Sequence, residues 1–424
     1  MSEAATSRIA AAPGDNSLAA FDVARVRADF PILSQKVFGQ PLVYFDSAAS
    51  AQKPRQVIEA MSNTYETCYA NVHRGVHRMS QLTTDAFEAG REKVARFLNA
   101  GSADEIVFTR NATEAFNLVA TCFSSAHMGP GDEVIISTLE HHANIVPWQM
   151  LRDRLGIILR IVPIDDAGNF LLDEYEALLG PRTRLVAVTH VSNALGTVVP
   201  VKQVIARAHA RNIPVLLDGC QAVPHMMVDV RALDADFYIF TGHKLYGPTG
   251  IGVLYGKSEL LNALPPYQGG GEMIASVTFE KTTFKAAPHR FEAGTPPIVE
   301  VIGLGAAIDY VLSLGQDAIA AHEHGLRTYA ETRLARVPGL RILGTAREKA
   351  SIVSFVMDSA HPHDIGTIVD RAGVAVRTGH HCAQPLMQRL DVAATARASL
   401  ALYNTREEVD VLAQALESVH EIFG

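Results

Sequence analysis

Cysteine is scarce in this chain, and its scarcity argues against a protein held together by disulfide bonds. Only four cysteines occur in 424 residues, and they follow no regular framework. Free thiols of this kind are typical of a reducing compartment. No apolar run reaches the length of a membrane-spanning helix, and the first residues have neither a basic start nor a following hydrophobic core of the secretory type. We therefore expect a cytoplasmic protein without a membrane partner.

Positive charge is also in short supply. Lys and Arg number 37 against 45 Asp and Glu, which gives a net charge of −8, and no basic block offsets this balance. A nucleic-acid partner is therefore not expected, and a small, weakly charged substrate fits better. With 48% hydrophobic residues, the chain can bury one large core and a second, smaller one.

Short apolar strands alternate with helical segments, and each strand ends in a polar residue. The predicted strands cover residues 105–109, 133–137, 185–190, 213–218 and 237–240. After the first of them, apolar residues recur at helical spacing, as in Ala115, Phe116, Val119 and Phe123. This alternation predicts a mostly parallel sheet with a ligand at the carboxyl ends of its strands.

Lys244 follows the strand at 237–240 directly, in the turn Thr241-Gly-His-Lys244. A lysine held at a sheet edge is partly desolvated, which favours the nucleophilic amine needed to bind an aldehyde cofactor. A lone lysine is more often a surface residue. Asp218 makes the reactive lysine the favoured interpretation, because this acid ends another strand and is followed three residues later by Gln221. Pyridoxal phosphate (PLP) requires such a lysine for its aldehyde and such a carboxylate for its pyridine nitrogen.

The run from Asp218 to Gln221, followed by Thr241-Gly-His-Lys244, resembles the class-V aminotransferase superfamily of PLP enzymes, and specifically its cysteine desulfurases. The resemblance extends from about residue 30 to the C-terminus. It implies an α/β protein of PLP-dependent transferase fold type I, with a mostly parallel mixed sheet and a smaller α+β domain. The expected organisation is a flexible tail at 1–20, a large PLP-binding domain at 41–295, and a small domain formed by 21–40 and 296–424. It also implies a homodimer.

Asn111 precedes Glu114 by three residues, which is typical of a helix start. The N-H groups of Ala112 and Thr113 would meet a phosphate at the positive end of that helix. Many helices begin in this way without binding anything, but together with Lys244 the pattern predicts the phosphate site of PLP.

The resemblance implies further cofactor contacts. His141 stacks on the pyridine ring and can move a proton. Asn193 contacts the ring oxygen and the substrate carboxylate. Thr295 reaches a phosphate across the subunit boundary, although Thr295-Pro-Pro replaces the family's usual Thr-Pro-Asn. The remaining implied cofactor residues are Gln221, Thr241 and His243.

Three groups of histidines raise the question of a metal site. They are His73 with His77, His141 with His142, and His380-His381-Cys382. The first pair has a glycine between its members and no third ligand nearby, and the second lacks a cysteine or acid at ligand spacing. The consecutive residues of the third group seldom point at one ion. No metal is expected, and the resemblance instead places His73 and Arg74 at the active-site mouth near the subunit boundary.

Cys382 lies in the stretch Arg377-Thr-Gly-His-His-Cys382-Ala-Gln-Pro385, in which Pro385 suits the first turn of a helix. A helix N-terminus and neighbouring imidazoles both lower the pKa of a thiol, so Cys382 has a route to the thiolate. The alternative is a small buried residue. That alternative suits Cys68, Cys122 and Cys220.

This stretch is similar to the signature of the group II cysteine desulfurases, the Suf and Csd type, which supply sulfur for iron-sulfur cluster assembly. The resemblance implies conversion of L-cysteine to L-alanine with a persulfide left on Cys382. Arg397 would bind the α-carboxylate of the substrate, with Arg377 and His73 nearby. A SufE- or SufU-like protein would accept the sulfur, and selenocysteine can follow the same path.

Two other classes of function stay open. A selenocysteine lyase or another class-V PLP transferase would need Lys244 and Asp218 but not Cys382. A sulfur carrier without enzymatic activity would need Cys382 but not the lysine. Both sets of residues occur in this chain, which favours the desulfurase.

The C-terminal region predicts two long helices. The first carries Val301, Gly305, Ile308 and Leu312 at helical spacing and ends at Gly315. The second begins with a capping box of Thr405 and Glu408. Its expected core positions are Val409, Leu412, Leu416, Val419 and Phe423.

Overall fold

A computed structural model describes residues 21–424 of the chain. The tail predicted at residues 1–20 lies outside the described residues. The strands, numbered in chain order, are β1 (Lys36–Val37), β2 (Gln40–Pro41), β3 (Val43–Tyr44), β4 (Ile106–Thr109), β5 (Glu133–Ser137), β6 (Ile158–Val162), β7 (Thr183–Thr189), β8 (Val215–Asp218), β9 (Phe237–Thr241), β10 (Gly252–Gly256), β11 (Ile274–Val277), β12 (Thr282–Phe284), β13 (Leu340–Leu343), β14 (Ile352–Met357), β15 (Val374–Ala375), β16 (Arg377–Gly379) and β17 (Thr395–Ser399).

Helices connect and cover these strands. They are α1 (Val23–Ala28), α2 (Arg55–Thr67), α3 (Arg78–Phe97), α4 (Ala112–His127), α5 (Val146–Leu155), α6 (Leu172–Leu178), α7 (Val201–His209), α8 (Val230–Leu233), α9 (Ser258–Ala263), α10 (Ile298–Leu314), α11 (Gln316–Leu334), α12 (Pro362–Arg371), α13 (Gln384–Arg389) and α14 (Arg406–Phe423). Short 3-10 turns occur at Pro31–Ser34, Ala103–Glu105, His142–Asn144, Gly242–Lys244 and His289–Phe291.

The larger sheet has seven strands in the order β4-β10-β9-β8-β7-β5-β6. Strand β10 runs antiparallel to β4 and β9, and the other neighbours are parallel. Alternate residues of β9 enter two different cores, Tyr238 and Phe240 on one face and Phe237 and Ile239 on the other. Both faces are therefore covered, as parallel strands require. The predicted mostly parallel mixed sheet is confirmed.

Helix α10 packs against α2 and α3 beside this sheet. A Cβ atom on Gly90 would lie 2.7 Å from the Cγ1 of Val301, so glycine at this position lets α3 and α10 approach closely. Gly315 ends α10 with φ 83°, as predicted. Leu312 is exposed, together with Asp309 and Ser313, on the outer side of the last turns.

A second, antiparallel sheet has the order β13-β14-β17-β16. With α11, α12 and α14 it forms a separate core, which Val43 and Phe45 join from the start of the chain. Strand β3 pairs in parallel with β15 on the same side of the molecule as this core. Val26 and Phe30 instead pack in the larger core. The domain boundaries stay a prediction.

The final helix begins with the predicted capping box, because the Thr405 and Glu408 side chains each bond the other's backbone N-H. Most of its predicted core positions are buried. Phe423 is the exception, since it is 45% exposed in the last turn. Within residues 21–424, no single helix has the length and apolarity to cross a bilayer; α10 and α11 meet that test only as a pair bent by 76°.

Candidate active site

A cleft opens at the carboxyl ends of the parallel strands. It lies where β7, β8 and β9 end and where the loop after β16 approaches from the second sheet. The predicted site residues that line this cleft are Ala112, Thr113, His141, Asn193, Asp218, Thr241, His243, Lys244, Arg377, Cys382 and Arg397.

Lys244 reaches the cleft because β9 is buried at every position and leads straight into the 3-10 turn Gly242–Lys244. Three groups donate to the carbonyl of the preceding residue, His243, and the weakest is the Oγ of Ser50 at 3.5 Å. The backbone N-H of Ala51 donates to it at 3.0 Å, and the Nζ of Lys53 donates to it at 3.3 Å. Lys244 is half-buried in this anchored turn.

Asp218 ends β8, and its backbone pairs in register with Ile239 of β9. The carboxylate is buried, and its Oδ1 accepts a hydrogen bond from the N-H of Cys220 at 2.9 Å. Within the described residues, no lysine, arginine or histidine lies at salt-bridge distance from it. A buried carboxylate without a cation is costly. A protonated pyridine nitrogen would supply that cation, so Asp218 fits PLP.

The start of α4 borders the same cleft. The Oδ1 of Asn111 accepts from the N-H of Glu114 at 2.9 Å, while the Glu114 carboxylate accepts from the N-H of Arg110, so the cap is one-sided. The first amides of the helix, on Ala112 and Thr113, meet no acceptor in the part of the chain that the structure describes. Free amides at the positive end of a 16-residue helix suit an anion such as the PLP phosphate.

His141 presents a neutral ring to the cleft. Its Nδ1 accepts from the N-H of Ala143 at 3.0 Å, which places the ring proton on Nε2. Burial, and then the charge of Lys244, lower the pKa of His141 to about 3. A neutral imidazole with a fixed tautomer suits stacking on a pyridine ring.

Cys382 lies in the short loop between β16 and α13. Both His381 (φ 53°) and Cys382 (φ 54°) adopt the left-handed conformation that non-glycine residues rarely take. Pro385 lies in the first turn of α13, as predicted. The Nη2 of Arg377 lies 3.9 Å from the Cys382 Sγ, so a permanent cation faces the sulfur.

His381 does not supply the positive charge that its position in the sequence suggests. Its Nε2 lies 2.7 Å from the Oγ1 of Thr395, and its ring is buried. Burial, and then Arg397, lower the pKa of His381 to about 3. Arg377, rather than His381, is therefore the charged side chain in contact with the Cys382 sulfur.

The other cysteines differ from Cys382 in chemistry or place. Burial raises the pKa of Cys122 to about 12. Burial, and then Asp218, raise the pKa of Cys220 well above its ordinary value, although Cys220 also lines the cleft. Cys68 ends α2, outside the cleft lining.

Arg397 lies on β17 and is 1% exposed. Its Nη1 donates to the Asn193 carbonyl at 2.8 Å, and its Nη2 donates to the Oδ1 of Asp46 at 3.1 Å. Its buried Nε has no hydrogen-bond partner among the described residues. Burial lowers the pKa of Arg397 to about 10, which leaves it charged at neutral pH. A fixed guanidinium with a free donor suits a carboxylate ligand.

Three predicted site residues lie outside the cleft lining. The Gln221 amide donates to the Ala48 carbonyl at 2.7 Å and so supports the turn that borders the cleft. Thr295 lines a separate hollow. The His73 ring lies 2.8 Å from the Glu88 carboxylate on α3, and the neighbouring Arg74 pairs with Glu272.

Sequence reasoning missed a buried network around Asn144, close to His141 in the chain. The Asn144 Nδ2 donates to the Oε2 of Glu140 at 2.7 Å and to the Ala187 carbonyl at 3.0 Å, and the Trp148 Nε1 donates to the Oδ1 of Asn144 at 3.0 Å. The signal was present, because Glu140, Asn144 and Trp148 are spaced four residues apart. Across residues 21–424, no group of three His, Cys, Asp or Glu residues could hold a metal ion.

Comparisons with known proteins show the family of this chain. The family model "Aminotransferase class-V" matches residues 43–412. The chain is 55% identical to a cysteine desulfurase of Klebsiella pneumoniae over 405 residues, which cover 95% of this chain and 100% of that protein. It is 53% identical to a cysteine desulfurase of Synechococcus elongatus over 416 residues, covering 98% of this chain and 66% of that protein. Three of the curated relatives are longer, and the chain spans 58 to 66% of their length.

A solved structure shows the same architecture. The crystal structure of the cysteine desulfurase CsdA (S-sulfonic acid) from Escherichia coli is similar with a TM-score of 0.89 and 41% sequence identity. The match covers 95% of this chain and 100% of that one.

Proposed function

The chain belongs to the class-V aminotransferase family and, within it, to the cysteine desulfurases, and from this premise we propose that it converts L-cysteine to L-alanine with PLP as cofactor. The sulfur atom remains on Cys382 as a persulfide. Selenocysteine fits the same site as an additional substrate. The product persulfide serves iron-sulfur cluster assembly, and the protein acts in the cytoplasm.

One observation carries the proposal: Cys382, Lys244 and Arg397 line a single cleft although they come from different parts of the chain. A lyase that only cleaves the substrate has no use for a thiol held next to a cation in this place. A sulfur carrier has no use for a lysine and a buried carboxylate in the same cleft. The cleft contains both.

Arg397 binds the α-carboxylate of the substrate, because its plane is fixed by Asn193 and Asp46 and its Nε is free. Asn193 contributes from the same side. Arg377 faces the Cys382 sulfur with its permanent positive charge. His73 belongs to the mouth of the site rather than to its floor.

Asp218, His141, Ala112, Thr113, Thr241, His243 and Asn193 hold PLP, and Lys244 attaches to its aldehyde; Gln221 acts through the turn at Ala48. When bound, PLP supplies an electron sink that weakens the bonds at the substrate Cα. Lys244 removes the proton from Cα and returns one to the product.

The Cys382 thiolate attacks the substrate sulfur, so one S–S bond forms while the substrate Cβ–S bond breaks. The Cβ receives a proton, and His141 is the neutral ring placed to assist. A thiol and L-cysteine thus give a persulfide and L-alanine, and no external oxidant or reductant is needed.

The acceptor of the persulfide is a small thiol protein of the SufE or SufU type. Only residues 380–383 separate β16 from α13, and a loop this short cannot carry the sulfur far from the cleft. The acceptor therefore brings its own thiol to the mouth. The enzyme is a homodimer, in which Thr295 completes the phosphate site of the neighbouring subunit.

The test replaces Cys382 by Ser in the full chain and measures alanine and persulfide after mixing with L-cysteine. We expect normal cofactor content and substrate binding but a loss of alanine formation of at least about 100-fold, because the nucleophile is removed. Cys68→Ser is the matched control and should keep the parental rate.

A Cys382→Ser enzyme that forms alanine from L-cysteine at the parental rate would count against the desulfurase and in favour of a plain lyase. Repeating the assay with selenocysteine identifies the alternative, since a selenocysteine lyase would retain its rate in the variant.

A further inference from the structure

The second residue of the His141-His142 pair has no part in the proposed reaction, yet it contacts the loop that carries Cys382. The backbone N-H of His142 donates to the Cys382 carbonyl at 2.7 Å. Its ring Nε2 accepts from the backbone N-H of Gln384 at 3.0 Å. One residue therefore holds the loop on both sides of Ala383.

The loop needs such support. His381 and Cys382 both have left-handed backbone conformations, which persist only where the surroundings fix them. The N-H of Gln384 opens α13, so no carbonyl within the helix can accept it. His142 is itself held firmly, because it starts the 3-10 turn whose last residue, Asn144, belongs to the buried network.

We propose that His142 is a positioning residue, which holds the Cys382 sulfur at the cleft by accepting the Gln384 hydrogen bond on its neutral ring. This deepens the proposed function and rests on it, since the residue positioned is the one that takes up sulfur. It also gives a role to the one histidine of the pair that the cofactor does not use.

The hydrogen bond depends on the protonation of His142. The ring accepts only while Nε2 is unprotonated, and burial, followed by His380, lowers the pKa of His142 below its ordinary value. The neutral ring is therefore present at pH values within and above the range in which histidine ordinarily titrates. The hydrogen bond is lost as the pH falls below that range. The charged or titratable groups around the pair are His141, Lys244, Arg377, His380 and Cys382.

Two variants of the full chain distinguish the effect of the His142 hydrogen-bond acceptor from the effect of its ring. His142→Gln keeps an acceptor that does not titrate, and His142→Phe keeps a ring without an acceptor. Hydrogen exchange of the peptide spanning 380–386 and alkylation of Cys382 by iodoacetamide are measured without L-cysteine, at pH 7.5 and 5.5. We expect exchange about 10-fold faster in His142→Phe at pH 7.5, and within about 2-fold of the parent in His142→Gln.

After correction for intrinsic exchange rates, the 380–386 peptide of the parent should exchange faster at pH 5.5 than at pH 7.5. The same peptide of His142→Gln should not. Parental exchange in His142→Phe, or exchange in His142→Gln as fast as in His142→Phe, would overturn the proposal. If His142→Phe does not fold, the pH comparison of the parent with His142→Gln decides. No turnover is measured, so failure here is distinct from failure of the Cys382→Ser assay.

Discussion

The carboxylate of Asp218 should have opposite effects on stability in the free and the PLP-bound protein. In the free chain it is buried without a cation, and in the proposed PLP-bound chain it would face the charged pyridine nitrogen. Asp218→Asn should therefore be neutral or stabilising without PLP. With PLP the variant leaves a buried cation unpaired, which costs about 3–5 kcal/mol of binding free energy. Melting temperatures with and without PLP, and a PLP titration, measure both effects.

Asp236 provides the matched control for this experiment. It is equally buried at the start of β9, but it pairs with Lys257 and His209 at 2.8 and 2.7 Å. Asp236→Asn should lower the melting temperature by the same amount with and without PLP. If Asp218→Asn behaved in the same way as this control, Asp218 would have no special relation to the cofactor.

Residues at strand ends could be predicted from the sequence, and residues that act through folded loops could not. Lys244 and Asp218 each follow an apolar run, so the rule that parallel strands end at one edge brings them together. The contact of Arg377 with the Cys382 sulfur depends on the left-handed conformations of His381 and of Cys382 itself. No pattern in the sequence encodes those backbone angles, because neither residue is glycine.

Between elements, the buried amide of Asn144 joins three pieces of the fold: the turn after β5, strand β7 through Ala187, and helix α5 through Trp148. Asn144→Ala would leave the Trp148 N-H and an oxygen of Glu140 without partners in the core. We expect a loss of about 3 kcal/mol in the free energy of unfolding, seen as a lower urea midpoint with an unchanged slope.

Asn63→Ala is the control, because Asn63 is exposed on helix α2 and its change should stay within about 0.5 kcal/mol. An Asn144→Ala protein with the parental urea midpoint would show that water replaces the amide without cost. Cysteine turnover in the variant adds a second measurement, since His141 is adjacent to the network in the chain.

The predicted bounds of a helix or strand agree closely with the structure where one sequence pattern extends along the whole element. Strand β5 has the predicted bounds, and the capping box at Thr405 is present. The strand predicted at 185–190 begins two residues earlier, at Thr183. Phe423 was misplaced because helical spacing continues to the end of α14, whereas the core that covers the helix stops before it.

For the whole molecule, two exposed segments identify a candidate surface for dimer formation. The loop at 71–77 carries Val76 and the hairpin of β11 and β12 carries Phe279, and both side chains are fully exposed. The ion pair of Arg74 with Glu272 connects the two segments. Thr295 lies outside the cleft of its own chain, which agrees with a site completed by a second copy.

We therefore expect the parent to be a dimer by analytical ultracentrifugation, and Val76→Asp with Phe279→Asp to weaken it. Each buried apolar side chain contributes roughly 1.5–3 kcal/mol, so the loss of both removes at least about 3 kcal/mol and raises the dissociation constant at least about 100-fold. Cysteine turnover should fall with the dimer fraction if, as proposed, Thr295 completes the site of the neighbouring subunit. Ile422→Asp, on the exposed end of α14, is the control and should change neither mass nor rate. A parental monomer with full activity would contradict the dimer, and a dissociated variant with full activity would show that each chain holds a complete site.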